Sequence, residues 1–465
     1  MASNDKTELF EKMPVPKALT KMAVPTIISQ LINLIYNIVD TFFIGRTGNS
    51  FMVAAVTLAF TLFMMTIAFS NLFGVGGGSL IARLSGRREE RRARNVSAFS
   101  IYGAAAVAVV YSLLVWLFMD PILDLLGASK ETLHFAQQYT WIVVVAGNLP
   151  VILSLTLSHL LRNVGYSRQA SVGLSMGGIL NIVLDPLFMF VLFPSGMEVF
   201  GAALATMLSN VVSCIYLMIE MIRVSDTAPI SVRLSDAFKI TREDLRELMA
   251  VGVPSAVLTG LFDVANIVLN AQMAKHGDLE LAAIGIVMKA ERLPNAINLG
   301  ICQGMLPIVA YNFASGNRER MDSIIRTARQ VGLVISAVSL VLFEICASPL
   351  VHVFLSTSAG DVEASLATLA LATVFLRIRC IASPVQFLNY HTSFCMQAMG
   401  DGRDTLLHAI ARELVFYIPF MFLLNALFGK NGLAAALVAG EAMGAITALF
   451  LLRRWMKKQN DTSED

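Results

Sequence analysis

The chain has 465 residues, of which 56% are hydrophobic and only 15% are charged. A soluble protein of this size carries more charge on its surface. The apolar residues also come in runs of about twenty or more, enough to cross roughly 30 Å of hydrocarbon. The net charge of +2 gives no reason to expect a nucleic-acid partner. The composition therefore excludes a soluble domain and favours an all-α membrane protein.

Twelve apolar segments follow one another along the chain, and each is long enough to predict a membrane-spanning helix. They cover approximately residues 18–44, 52–82, 95–119, 132–158, 168–193, 199–222, 247–274, 281–310, 325–347, 362–389, 405–428 and 432–453. The first segment is too long for a signal peptide and lacks a cleavage site, so we expect it to remain as a helix. The five cysteines lie in apolar runs without a CxxC pair, which argues against disulfides and zinc.

Lysine and arginine residues gather in every second connection, beginning with the N-terminal segment. The alternate connections hold only Arg46, Lys130, Lys275 and Lys430. Basic residues mark the cytoplasmic side of membrane proteins. This asymmetry predicts a multi-pass inner-membrane protein with both termini in the cytoplasm.

The two halves of the chain repeat each other at an offset of about 228 to 235 residues, as in the match of Pro25 with Pro254 and of Asn37 with Asn266. Six helices per repeat predict two lobes related by a pseudo-two-fold axis along the membrane normal. We expect paired prolines inside the helices to be bending points when the lobes rock. The predicted units are a cytoplasmic segment 1–17, an N-lobe 18–222, a cytoplasmic linker 223–246, a C-lobe 247–453 and a cytoplasmic tail 454–465.

Polar and acidic residues of the first half fall at similar depth in the outer part of their helices. Ionisable groups in hydrocarbon cost about 2.5–3.5 kcal/mol each, so they usually face an interior or a cavity. Their oxygens would suit a monovalent cation or a proton shared by two carboxyls. A purely structural role is the alternative, but the second repeat has apolar residues at the four positions that correspond to Asp40, Asn181, Asp185 and Thr206. The set comprises Tyr36, Asp40, Tyr139, Asn181, Asp185 and Thr206.

The second half carries a different set of intramembrane charges, in which acids and bases nearly balance. One interpretation is a network of ion pairs that braces the lobe, and the other is a direct role with substrate or protons. The set comprises Asp263, Lys289, Glu291, Arg292, Arg377, Arg379, Arg412 and Glu413.

Several stretches resemble the multidrug and toxic compound extrusion (MATE) transporters over essentially the whole chain. They are VPTIISQLINLIYNIVDTFFIGR in segment 1, SGRREE after segment 2, GILNIVLDPLF in segment 5, GAALAT in segment 6 and NFASGN after segment 8. The resemblance is to the bacterial drug-efflux branch with an acid in helix 1. It implies two six-helix lobes around a central cavity and exchange of Na⁺ or H⁺ for organic cations.

The resemblance also implies a cation site in the first lobe. Asp40, Asn181, Asp185 and Thr206 stand in the places of that site, as Na⁺ ligands if sodium is the coupling ion, and Tyr36 and Tyr139 resemble its flanking members. Helix 7 departs from another branch of the family, because it lacks a glutamate and carries Asp263 elsewhere. A second-lobe cation site is therefore not expected from the resemblance.

The predicted function is a cation-coupled multidrug efflux antiporter, with H⁺ slightly favoured over Na⁺ and no other cofactor. We expect organic cations as substrates, a lipid bilayer as surroundings and a monomer. The alternative within the same superfamily is a flippase for lipid-linked precursors, whose cationic cavity would use Lys289, Arg377, Arg379 and Arg412. A major-facilitator transporter, a channel and a membrane transferase fit less well, and short external loops argue against any enzyme.

Overall fold

The computed structural model describes residues 8–355 and 362–461, which contain helices and connections but no strand. Lys6 and the ends of the predicted N-terminal segment and tail lie outside this range. Six long helices form the first half. They are α1 (Val15–Gly45), α2 (Ser50–Gly86), α3 (Glu90–Leu117), α4 (Lys130–Thr140, Trp141–Ala146 and Asn148–Asn163), α5 (Ser167–Leu187, continued by Phe188–Leu192) and α6 (Glu198–Val224), with a short helix Met119–Leu125 after α3.

The second half repeats this order of helices. It contains α7 (Arg242–Ala274), α8 (Asp278–Ala314), α9 (Arg318–Ile345), α10 (Val362–Cys380 and Ser383–Met399) and α11, which runs through Gly402–Ile410 and Ala411–Tyr417 into the helix Ile418–Asp461. Gly429 interrupts that last helix with a φ of 60°, a conformation that suits glycine, so α12 is the part 430–461. Short helices Leu234–Ala237 and Ala347–Leu355 lie in the connections before α7 and after α9.

The number of membrane spans agrees with the twelve apolar segments. Nine continuous helical stretches of the described chain are long and apolar enough to cross a membrane, and two further spans are helix pairs bent by 49° and 48°. The last stretch, Gly402–Arg454, holds both α11 and α12. Dividing it at Gly429 gives twelve spans, and the prediction of an all-α membrane fold is confirmed.

Segments 4 and 10 are not the single helices that the hydropathy pattern predicted. α4 bends after Ala146 and α10 bends after Cys380. Pro150 and Pro384 lie in the first turn after each bend, where a missing N–H breaks no hydrogen bond of the helix. Pro25 and Pro254, by contrast, lie inside continuous helices.

The lobes are packed together at the end of the molecule that carries the N-terminal segment and the linker, here called the basic end. Glycines allow α2 and α7 to approach closely there, since a Cβ on Gly252 would lie 2.1 Å from the carbonyl oxygen of Leu72. The same holds for α1 and α8, where a Cβ on Gly304 would lie 2.6 Å from the Cα of Ala23. Small residues commonly permit such close contacts between membrane helices.

Charged residues reinforce the lobe contact at the basic end. Arg83 of α2 is 2% exposed and donates to Glu247 of α7 at 3.4 Å, and Arg92 of α3 donates twice to Asp244, at 3.0 and 2.7 Å. Glu11, in the N-terminal segment, pairs with Arg88 and accepts a 2.6 Å hydrogen bond from the Tyr311 hydroxyl. The N-terminal segment therefore joins the two lobes on this side.

The linker between the lobes lies against α3. The Ser97 hydroxyl donates to the carbonyl of Ser231 at 2.9 Å and accepts from its amide at 2.7 Å. Within the linker, hydrogen bonds from Lys239 and Ser231 lower the pKa of the Asp236 carboxyl. The linker is thus packed against the N-lobe up to the start of α7.

Candidate functional site

A buried polar cluster lies between α5 and α6. Asn181 and Asp185 are four residues apart on α5 and therefore share a face. The Asn181 amide donates to Asp185 Oδ1 at 3.0 Å and to Thr206 Oγ1 of α6 at 3.4 Å. The three side chains are almost completely buried. This cluster contains three of the residues that the sequence singled out.

Asp40 of α1 completes the cluster. Its carboxyl lies within hydrogen-bonding range of the Asp185 carboxyl. Two carboxyl groups at such a separation cannot easily both be ionised, and a shared proton removes their repulsion. The close approach of the two carboxyls is compatible with one shared proton.

Three buried oxygens of the cluster have no hydrogen-bond partner in the described chain. They are Asp40 Oδ1, Asn181 Oδ1 and Asp185 Oδ2. Buried acceptors without a donor are costly and call for an explanation, of which a bound ion or water is one. Carboxylate and amide oxygens suit a hard cation as well as a proton, so these oxygens are compatible with either ligand.

The two tyrosines predicted for the site also face the cluster. The hydroxyl of Tyr139 lies near Thr206 and within electrostatic range of both carboxyls, and that side chain is 5% exposed. Tyr36 lies one turn before Asp40 on α1, within electrostatic range of both carboxyls. The structure thus brings together all six residues that the sequence selected from the first half.

A cavity of about 330 Å³ borders the cluster, and both lobes line it. Tyr36, Asn181 and Thr206 belong both to the cluster and to the cavity wall. The rest of the wall is mainly aromatic, apolar and amide side chains from α1, α2, α4, α5, α6 and α7. It includes Asn33, Asn37, Phe60, Phe63, Met64, Asn210, Phe262, Asp263, Asn266 and Arg292.

Asp263 and Arg292 are the charged residues that the second lobe contributes to this cavity wall. They lie on α7 and α8 and interact electrostatically, but no ion pair within 4 Å joins them among the described contacts. They therefore leave the charges of both side chains available to a molecule in the cavity. Asp263 and Arg292 thus differ from the other charged residues predicted for the second lobe, which do not line this cavity.

The remaining second-lobe charges form two ion-paired groups inside the C-lobe. In the first, Arg379 donates to both carboxylate oxygens of Glu291, at 2.7 and 2.9 Å, and contacts the Tyr417 hydroxyl at 3.4 Å. Such a bidentate geometry is the strongest form of the arginine–carboxylate pair. Arg379 and Glu291 thus join α10 to α8.

In the second group, Arg412 of α11 donates to both oxygens of Glu441 of α12, at 2.9 and 2.5 Å. Asn389 of α10 donates to Glu441 at 2.6 Å, and Glu413 lies 3.5 Å from Arg412. The sequence analysis missed Glu441. A single glutamate in an apolar, glycine-rich helix is the same signal that identified Asp40, and it would have been sufficient.

Two members of the predicted second-lobe network lie outside both groups. Lys289 is exposed, and Arg377 is half exposed with only a 3.8 Å contact to Glu344. The flippase hypothesis would require basic side chains in the cavity wall. The four that it would use do not line the cavity described above; they are Lys289, Arg377, Arg379 and Arg412.

Comparison with known proteins agrees with the repeat and with the fold. The model of the MatE family matches this chain twice, over residues 25–187 and 254–423. The chain belongs to the MATE family. It is therefore a transporter rather than an enzyme.

Among the relatives of this MATE transporter is the multidrug export protein MepA of Staphylococcus saprophyticus. It is 32% identical over 443 residues, covering 95% of this chain and 94% of the relative. A solved outward-facing multidrug resistance MATE transporter of the MOP superfamily matches with a TM-score of 0.88 and 25% identity over 96% of this chain and 97% of that one. A MATE transporter in complex with MaL6 matches with a TM-score of 0.90 and 24% identity over 98% and 99% of the two chains, which shows the fold.

Proposed function

We propose that this MATE transporter is a multidrug efflux antiporter that exchanges a coupling cation, bound by Asp40 and Asp185, for organic cations held in the adjoining cavity. The observation that carries the proposal is the shared wall. Tyr36, Asn181 and Thr206 contact both the carboxyl cluster and the cavity. A cation bound at the carboxyl cluster therefore changes the surroundings of a molecule in the cavity, and the reverse also holds.

The exchange follows from charge and packing. Without a bound cation, the repulsion between Asp40 and Asp185 favours movement of α1 away from α5. A proton between the carboxyls removes that repulsion, so α1 repacks or bends and narrows the cavity, which releases the drug. A substrate cation in the cavity stabilises the ionised pair instead. Binding of the coupling cation and binding of the substrate thus oppose each other through the residues that both sites share.

We favour H⁺ over Na⁺ as the coupling ion, with Na⁺ competing at the same oxygens. The close approach of the two carboxyls supports a proton, because a proton can sit between them without other ligands. Sodium would instead use the three unpartnered oxygens together with Thr206. It would neutralise the pair with less repacking of α1.

We also propose that the basic end faces the cytoplasm of an inner membrane and that the protein works as a monomer. Closure of the lobes at the basic end and the similarity to an outward-facing transporter support an outward-facing state. Alternating access would then break the contacts of Arg83 and Glu11 while the lobes 18–222 and 247–453 rock against each other. The absence of the four flippase cations from the cavity wall supports a drug exporter over a flippase.

Efflux from proteoliposomes tests the proposal. A fluorescent organic cation is loaded, and its release is measured under a pH gradient without sodium and then under a sodium gradient at equal pH. We expect the pH gradient to drive release. Release driven only by sodium would reverse the choice of ion, and release driven by neither gradient would contradict the antiporter.

A further inference from the structure

A long apolar groove lies between α1 and α5 on the side of these helices that faces away from the cavity. Its volume is about 750 Å³. Pro25, Ile28 and Ile32 of α1 form one wall, and Val172 and Ile179 of α5 form part of the other. Ile28 is 49% exposed and Ile179 is 51% exposed, so the groove opens to the surroundings of the helices. In a membrane those surroundings are lipid.

The groove has one polar end. Arg168, at the start of α5, is the charged residue of its lining, and it has no ion pair within 4 Å among the described residues. Ser171 and Ser175 follow at positions i+3 and i+7 and line the groove on the same side of α5. Lys21 lies one turn before Pro25 on α1 and is exposed. Two cations thus flank the groove at the basic end of the molecule.

Ser171 provides an independent sign of a ligand. Its side chain is 4% exposed, it lines the groove, and its hydroxyl has no hydrogen-bond partner in the part of the chain that the structure describes. Buried hydroxyls normally find a partner, either within the protein or in a bound group. An acceptor placed in the groove beside Arg168 would satisfy it.

The dimensions match one leaflet of a bilayer. The lining of α5 extends from Arg168 to Val183, roughly 22 Å at 1.5 Å per residue. One leaflet, with its headgroup region included, is about 20–22 Å thick. A chain that begins with a polar group at Arg168 and then remains apolar to the bilayer centre therefore fills the groove.

We propose that this groove binds one anionic phospholipid. The phosphate lies between Arg168 and Lys21, the Ser171 hydroxyl donates to an ester carbonyl, and an acyl chain packs along α1 and α5. With the basic end in the cytoplasm, as proposed above, the lipid belongs to the inner leaflet, where basic clusters attract anionic headgroups. The lipid would contact α1 at Ile32, one turn before Tyr36 on the same helix, so it supports the helix that carries Asp40.

Native mass spectrometry of protein extracted from equal mixtures of phosphatidylglycerol and phosphatidylcholine tests this site. The wild type should retain one phosphatidylglycerol. Arg168→Gln should retain it about fivefold less, since a basic residue near an anionic membrane surface contributes about 1 kcal/mol. Arg403→Gln is the matched control, because Arg403 is the exposed counterpart of Arg168 at the start of α11 in the other repeat. Arg168→Lys should largely restore retention.

A second pair of variants tests the apolar part of the groove. Ile179→Trp fills the groove and should abolish retention, whereas Ile215→Trp, at a 55% exposed position of α6 outside the groove, should not. Equal retention of the two lipids, or equal behaviour of Arg168→Gln and Arg403→Gln, would overturn the proposal. The proposal would also be overturned if the groove held a hydrophobic compound other than a phospholipid and the Arg168→Gln variant still retained that compound. These readouts need no transport and therefore stand apart from the antiport test.

Discussion

Replacement of Asp40 by Asn should uncouple transport without unfolding the protein. The Asn side chain has nearly the same shape as the protonated acid. Its amide can donate to Asp185 at the place where the shared proton lies in the wild type. Asn carries no proton that it can release, so the variant should remain in the protonated-like arrangement and lose its response to a pH gradient.

The expected size of the effect follows from a single proton shared by two carboxyls. Exchange of one proton for one organic cation converts each unit of pH gradient, about 1.4 kcal/mol, into a roughly tenfold drug gradient. No net charge crosses the membrane in such an exchange, so the membrane potential should not change the result. For the Asp40→Asn variant we expect no accumulation at any pH gradient.

The assay is the drug ratio across proteoliposome membranes at steady state, plotted on a logarithmic scale against the imposed pH difference. The wild type should give a slope near one. Asp124→Asn is the control, because Asp124 is an exposed aspartate in the connection between α3 and α4, away from the cluster. A slope near one in folded Asp40→Asn protein would refute the role of the pair, and a slope near two would refute the single shared proton.

Two further variants test the charges of the second lobe. Glu441→Leu leaves the buried Arg412 with Glu413, at 3.5 Å, as its remaining carboxylate partner and should cost about 3–5 kcal/mol, measured as a lower Tm of the purified protein. Glu344→Leu, at a half-exposed position, should change the Tm little. Arg292→Gln should reduce export of an aromatic organic cation that also carries a carboxylate by tenfold or more and spare its methyl ester, since a hydrogen bond to a charged group contributes about 1.5–3 kcal/mol. Lys289→Gln is its control, and equal losses for both compounds would contradict the role of Arg292.

Most of the fold could be predicted from the sequence because the membrane imposes it. Each span needs about 20 apolar residues with internal backbone hydrogen bonds, so hydropathy alone identifies the helices. The bends of α4 and α10 could not be predicted from hydropathy, since they depend on the backbone conformation of the residues just before Pro150 and Pro384. A proline in an apolar segment is compatible with a continuous helix, as at Pro25, and with a break.

The first-lobe cluster could be predicted because isolated acids in apolar helices are costly and must meet a partner. Depth along each helix was sufficient to place Asp40 beside Asp185. The partners of the second-lobe charges could not be deduced in the same way. Glu291 had several basic residues at a similar depth, and only the rotation of α10 about its axis selects Arg379.

The two repeats therefore use the same architecture for different electrostatic purposes. In the C-lobe, Arg379 and Arg412 each face carboxylates at hydrogen-bonding distance, so those acids have a fixed positive partner. A carboxylate with such a partner needs no mobile cation to balance its charge. In the N-lobe, Asp40 and Asp185 face each other with no arginine or lysine bonded to either in the described contacts. Under the function proposed above, the lack of a fixed counter-charge among the described residues would let a mobile cation bind there, which would suit the N-lobe to coupling and the C-lobe to support.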